Sequence, residues 1–388
     1  MKISDIADII NVTEKDPSNS GIDVFVGLEH YDIAEPVIKR FGSTKMLTTA
    51  TKKFEAGDVL IARRNVYLQR ASVARFSGLT SGDSIILRVK KNLRSEKTDY
   101  DSMCQLLPFI LNSINFWDYA NTNADGTMSK RLSPAMLQEY EFDLPSIDEQ
   151  KVLAEKLWAA YEVKQSYLKM IEATEEMVKS QFIEMFGDPI TNPKGWPVMS
   201  MRESSTLLSD GPFGSNLKTE HYRNSGIRVI RLQNICLGYF DDTDKAYISV
   251  EHYEKLKKYT CRPGEIVIGT LGEPNFRACV IPTYIDMSIN KADCVHYIPK
   301  SELLNNVFAC AYINCKRTLQ IATSNIHGTT RARIAAGQVN SIPIYIPPMD
   351  LQQQFVSITQ QADKSKFELR KSIDAIDKVI KSLINENL

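Results

Sequence analysis

Two stretches of the chain contain no Gly or Pro and carry apolar residues three and four positions apart, one from Asp148 to Phe186, closed by Gly187, the other from Asp350 to the last residue. In the second, Leu351, Phe355, Ile358, Ala362, Leu369, Ile376, Val379 and Leu383 alternate as the seam of paired helices does. In the first, the corresponding set is Leu153, Ala160, Val163, Tyr167, Met170 and Met177, weakened by Lys156, Thr174 and Gln181. Both are predicted helices of about 37–39 residues, or 55–60 Å at about 1.5 Å per residue, longer than a globular domain needs. Pro145, Pro347 and Pro348 mark the entries, where a strand must stop, and Asp148 or Asp350 can cap the first N–H groups.

The rest of the chain alternates differently. Short β-rich runs (VFVGL, VLIAR and IILRV, then IRVIRLQNI, EIVIGT and CVHYI) are split by Gly, Pro and Asn turns, with a more helical stretch late in each region (MCQLLPFILNSINF and NNVFACAYINCKRTLQ). The expected fold class is α+β (mixed α/β): a globular domain at 1–143, a helix at 144–187, a second globular domain at 188–345 and a second helix at 346–388. Helices packed antiparallel would place the globules at opposite ends of a rod, related by a pseudo-two-fold axis.

The two halves are copies. LPSIDEQ at Leu144 to Gln150 returns as IPPMDLQ at Ile346 to Gln352, and the same shift of 202 aligns Ala120–Ser180 with Ala322–Ser382 without a gap. Identical pairs include Gly126/Gly328, Thr127/Thr329, Arg131/Arg333, Asp148/Asp350 and Gln150/Gln352. Upstream the shift becomes 207, matching AGDVLI at Ala56 with PGEIVI at Pro263 and RASV at Arg70 with RACV at Arg277. Fainter still, FVGLEH at Phe25 resembles VIRLQN at Val229. A drifting shift is what loops of unequal length on one scaffold produce.

Composition narrows the function by exclusion. The 388 residues suit two or three domains, and no apolar run is long enough to span a bilayer, so a cytoplasmic protein with no membrane role is expected. The seven cysteines form no CxxC pair and read as reduced thiols. Net charge is zero; residues 188–349, with 18 Lys and Arg against 14 Asp and Glu, are the one net-basic segment. No Gly-rich cofactor loop with an NPPY or PC phrase, no GxxxxGK[ST] loop and no HExxH is present, and the five histidines are scattered. No catalytic residues, metal site or cofactor is expected, and binding is the better reading.

Two features suggest what is bound. GPFGSNLKTEHYR at Gly211 to Arg223 gathers glycines, an aromatic, Ser215, Lys218, Tyr222 and Arg223 in one loop, a set suited to phosphate oxygens and sugars, though a tight turn around a buried Phe213 would look the same. Arg228, Arg231, Gln233 and Asn234 stand near a strand end, Arg277 follows in the RACV strand, and Arg331 and Arg333 follow Gly328-Thr329. Arg pairs with guanine, and Asn or Gln with adenine, through two hydrogen bonds to one base edge. In the first half the counterparts are Arg63, Arg64, Arg70, Lys130 and Arg131.

At these residues the chain resembles the specificity subunits of type I restriction-modification enzymes. FVGLEHYD, GPFGSNLKTEHY, GDVLIARR with GEIVIGTLG, and the GTTRAR and GTMSKR segments leading into long helices carry the resemblance over essentially the full chain. It implies two target-recognition domains, each reading half of a bipartite double-stranded DNA site in the major groove. The helices would act as spacer, over roughly 16–18 base pairs at about 3.4 Å each, and as docking surface for two methyltransferase subunits through residues such as Leu153, Tyr167, Met177, Phe355, Ile358 and Ile376. S-adenosylmethionine and ATP would belong to partners, the latter to a separate motor-nuclease subunit. The GPFGS phrase has no clear copy in the first half. A protein scaffold without a DNA role, or a single-chain methyltransferase or restriction enzyme, are the alternatives from other classes.

Overall fold

The structure, a computed structural model, describes residues 1–127, 129–324 and 333–388. The chain divides into two compact units, Met1–Lys169 with Leu369–Leu388, and Met170–Glu368. Each long helix is therefore shared between the units, where the sequence suggested spacer segments separate from the globules.

In the first unit a four-stranded antiparallel sheet runs in the order Ala7–Ile10, Ser84–Val89, Val59–Ala62, Ala71–Val73. Strand residues alternate between faces, and both faces here are buried. Val59, Ile61, Ile85 and Leu87 enter the main core with Leu106, Phe116 and Trp117 from helices Tyr100–Ile110 and Ile114–Asn123. Leu60, Ala62 and Ile86 face a smaller core with Ile38 and with Val26 and Phe54, the last two carried by a five-stranded sheet. That sheet is mixed, Val24–Val26 running parallel to Gly78–Thr80.

The second unit repeats this layout. Its four-stranded sheet has the order Ser205–Ser209, Cys294–Pro299, Ile266–Gly269, Arg277–Val280, and Ile227–Ile230 runs parallel to Ser288–Asn290 in a second five-stranded sheet. Ile266, Ile268, Val295 and Tyr297 enter the main core while Val267, Cys279 and Cys294 enter the smaller one. The helical stretches expected late in each region are helix pairs, here Asn306–Asn314 and Lys316–Thr323. The faint match of FVGLEH to VIRLQN is structural: each strand ends in a 3-10 turn, Leu28–His30 or Leu232–Asn234, whose third residue accepts the N–H three positions back.

The long helices span Ile147–Phe186 and Met349–Asn387, 40 and 39 residues. The duplicated phrase at their starts has a bonding role. Gln150 is buried, donating from Nε2 to the carbonyls of Lys97 and Pro145 and accepting at Oε1 from Thr98 Oγ1. Gln352, equally buried, donates to the carbonyls of Leu303 and Pro347 and accepts from the Asn305 N–H. Each glutamine ties the first turn of its helix to the preceding domain.

Within each unit the helix segments pack antiparallel. In the first, Leu153, Leu157 and Tyr161 share a core with Ile384 and Leu388, and Lys164 Nζ lies 2.6 Å from Asp377 Oδ1. In the second, Phe182 and Phe186 meet Phe355, and Lys366 Nζ lies 3.9 Å from Glu175 Oε1. The ion pairs are equivalents, since 366 − 164 and 377 − 175 both equal 202. They also explain a corrected register. The inward residues of the central helix are Leu157, Tyr161, Leu168, Ile171, Val178 and Phe182, whereas Val163, Met170 and Met177 are exposed. The true seam passes through Lys164 and Glu175, charges a hydrophobic pattern skips, and it is their partners that make them admissible. In the C-terminal helix the expected set faces inward except Val379.

Candidate DNA interface

In the first unit the candidate cations converge on one carboxylate. The loop after strand Val59–Ala62 carries Arg63 and Arg64, and Arg64 forms an antiparallel bridge with Arg131. Asp83, in the turn before strand Ser84–Val89, holds both: Arg64 Nη1 is 3.4 Å from its Oδ2 and Arg131 Nη2 is 3.8 Å from its Oδ1. The Arg63 N–H donates to the Asp83 carbonyl and the Leu132 N–H to that of Arg63, so the cluster is braced through backbone. Lys52 joins it. Burial, then repulsion from Arg63, lowers its pKa below the usual lysine value.

The second unit has the same device. Arg333 Nη2 is 3.4 Å from Asp210 Oδ2 and its Nε 2.5 Å from Asp293 Oδ1, and the guanidinium lies over the Phe213 ring at 5.2 Å. The Thr270 N–H donates to the Asp293 carbonyl and the Ile334 N–H to that of Thr270, as Arg63 and Leu132 do in the first unit. Burial pushes the Asp210 carboxyl above the ordinary aspartate range. Arg331 lies outside the described residues.

The loop from Gly211 to Arg223 is well braced. A Cβ on Gly211 would sit 2.3 Å from the Lys291 backbone, so only glycine fits. Leu217 is buried, the Lys218 N–H donates to His221 Nδ1, and the His221 and His252 rings stack at 4.1 Å. Phe213 is not the buried centre of a turn but 46% exposed, with Ser215, Lys218 and Arg223 also exposed.

Other candidates are committed to the fold. Asn234 is fully buried; its Oδ1 caps the Arg231 N–H and its Nδ2 donates to the carbonyls of Asp241 and Asp244, so it offers no edge to a base. Arg277 spends its guanidinium on the carbonyls of Ile235, Leu271, Pro274 and Leu232, and Arg70 on those of Leu28 and Arg64. These two arginines lock the base of one loop in each unit, which is why the repeat carries both. Arg231 pairs with Asp244 and lies over the half-buried Tyr222, Arg228 is buried against Asp242, and Lys130 donates to the Asn121 carbonyl. Gln233 is exposed. Among proposed docking residues, Leu153 and Phe355 are buried in the cores of their own units and present nothing outward, Tyr167, Ile358 and Ile376 are half-buried, and Met177 is exposed.

Sequence reasoning missed Lys52, Asp83, Asp210 and Asp293. Asp83 and Asp293 differ by 210 positions, so the 207-residue shift passes them by. Among the described residues no cluster of His, Cys, Asp or Glu could hold a metal ion, and no helix is long and apolar enough to cross a membrane.

In both units an arginine is poised on an acidic turn, Arg131 on Asp83 and Arg333 on Asp293. Residues 214–377 match the family model described as the Type I restriction modification DNA specificity domain. The chain thus carries, in its second half, a stretch similar to a type I restriction-modification DNA specificity domain. The fold agrees over the whole chain. It is similar to a chain solved in work on complex assembly and conformational transition of the type I R-M system (15% identity, TM-score 0.56, covering 99% of this chain and 95% of that one). It is also similar to the type I restriction-modification S subunit from M. genitalium (13% identity, TM-score 0.54, covering 99% and 94%).

Proposed function

We propose that each unit reads one half of a bipartite site in double-stranded DNA, and that the helices fix the spacing between half-sites and dock two methyltransferase subunits. The observation that carries this reading is duplication of the recognition geometry: one sheet order and one arginine-on-aspartate device, at Arg131 with Asp83 and at Arg333 with Asp293. A second reader is needed only for a second half-site. The central helix also leaves Val163, Met170 and Met177 in water at seven-residue intervals, an apolar row suited to a protein partner.

Chemistry belongs to the partners in this reading: S-adenosylmethionine binding and adenine methylation to the methyltransferase subunits, ATP use and cleavage to motor-nuclease subunits. This chain selects and positions; its surroundings are those of the cytoplasm. The test is methylome sequencing of the assembled methyltransferase complex. Replacing residues 1–143 by those of a relative should change one half-site and leave the other, while adding one helical turn to both long helices should change only the spacer. A spacer that stays constant sinks the ruler role. Methylation by the purified chain alone would place catalysis here instead.

A further inference from the structure

The first unit lacks the GPFGS loop, so Phe213, the exposed aromatic lying against Arg333 in the second unit, has no counterpart in sequence. The structure supplies one from a different loop. Tyr67 stands at the tip of the segment joining strands Val59–Ala62 and Ala71–Val73, 61% exposed, and its hydroxyl makes no hydrogen bond among the described residues. The segment beneath it is rigid. Val66 is buried in the main core, and Val66–Leu68 form a 3-10 turn. Asn65 and Gln69 on either side take left-handed backbone angles, φ 52° and 49°. A glutamine in that region costs energy and persists only where surrounding contacts over-determine it. Those contacts are present: the Asn65 N–H donates to the Lys130 carbonyl, Ser129 Oγ to Asn65 Oδ1, the Ala34 N–H to the Gln69 carbonyl, and Arg70 clamps the Leu28 and Arg64 carbonyls.

The fold thus fixes the backbone beneath an exposed aromatic, on the same loop as Arg63 and Arg64 and braced by the Lys130–Arg131 segment. Under the 207-residue shift Tyr67 corresponds to Pro274, so the second unit has no aromatic there and presents Phe213 against Arg333 instead. An exposed aromatic on a braced loop that also carries cations suits apolar contact with a base edge in the major groove, the thymine methyl above all, at reduced entropic cost.

We propose that Tyr67 is a base-reading residue of the first unit, contacting a thymine methyl in its half-site, a role that rests on the two-reader assignment above. The test uses the assembled methyltransferase complex carrying the wild-type chain, Tyr67→Ala, Tyr67→Phe or Phe213→Ala, in a host without other methylation. Tyr67→Ala should let one position of the first half-site accept another base, raising methylation of sites altered there about tenfold, with the second half-site unchanged. Tyr67→Phe should keep the wild-type motif, and Phe213→Ala should relax only the other half-site. An unchanged motif in Tyr67→Ala overturns the proposal, as does uniform weakening at every sequence, which would mark an anchor rather than a reader. The wild-type complex gives a second measurement: duplexes with uracil replacing each thymine of the first half-site should lose about tenfold in affinity at one position, and no loss at any thymine overturns the contact. If exchanging residues 1–143 moves both half-sites or neither, the two-reader assignment fails. If the exchange behaves and Tyr67→Ala does not, only the role of Tyr67 fails.

Discussion

Arg131 and Arg333 could be picked out from sequence because the repeat keeps them, and the structure adds what neither sequence copy displays, the carboxylate each rests on. With Asp83 or Asp293 alongside, each guanidinium is half-exposed and already oriented, so DNA phosphate would compete with an existing partner. Arg131→Ala or Arg333→Ala should weaken binding at all sequences and shallow the slope of log affinity against log salt by about 1; binding titrated across a salt series checks this. Asp83→Asn removes a negative charge beside that surface and should tighten sequence-independent binding, read on duplexes lacking the site. Asn234, Arg70 and Arg277 could not be sorted in advance, because residue type and spacing do not reveal whether a polar side chain bonds to its own backbone. Glu265 shows the same economy with a titratable group. Burial raises its pKa, but hydrogen bonds from His296 and the Arg262 N–H more than offset this and leave it below the usual glutamate value. Its contribution to stability is therefore full above the ordinary pKa of 4.5 and lost as pH falls through the lower folded value. Thermal melts between roughly pH 3 and 6 should show a smaller acid loss in Glu265→Gln than in the parent.

At the scale of elements, the long helices were legible almost to the residue, since absence of Gly and Pro bounds a helix more sharply than any positive signal. Their starts were legible too, but as a phrase without a purpose. Gln150 and Gln352 read as helix-forming residues, and their buried bonding to Lys97, Pro145, Leu303 and Pro347 depends on loops remote in sequence. Replacing either by Ala removes the donor to two carbonyls at the helix start and should cost about 1–3 kcal/mol, measured by denaturant unfolding of the assembled complex. The face of the central helix was misread because Lys164 and Glu175 count as polar. Lys164→Glu should destabilise the first unit by opposing Asp377, and Asp377→Lys added to it should recover part of the loss, a coupling a double-mutant cycle reads directly. The sheets were visible as short runs, but their order was not, since pairing Val24–Val26 with Gly78–Thr80 joins strands separated in sequence by four others.

For the whole molecule, the internal repeat was the strongest signal in the sequence, and it anticipated two copies of one topology. What it could not anticipate is the boundary. Ile384 and Leu388 lie in the core of the first unit with Leu157 and Trp117, although the entire second unit is encoded between them. A ribosome making this chain therefore releases the second unit's segments before the first unit's core can close. Until residues 384 and 388 emerge, Leu153, Leu157 and Tyr161 lack their final cover. The first unit is thus the last to be finished, and a message cut short near its end would yield a chain whose second unit retains its core while its first remains open.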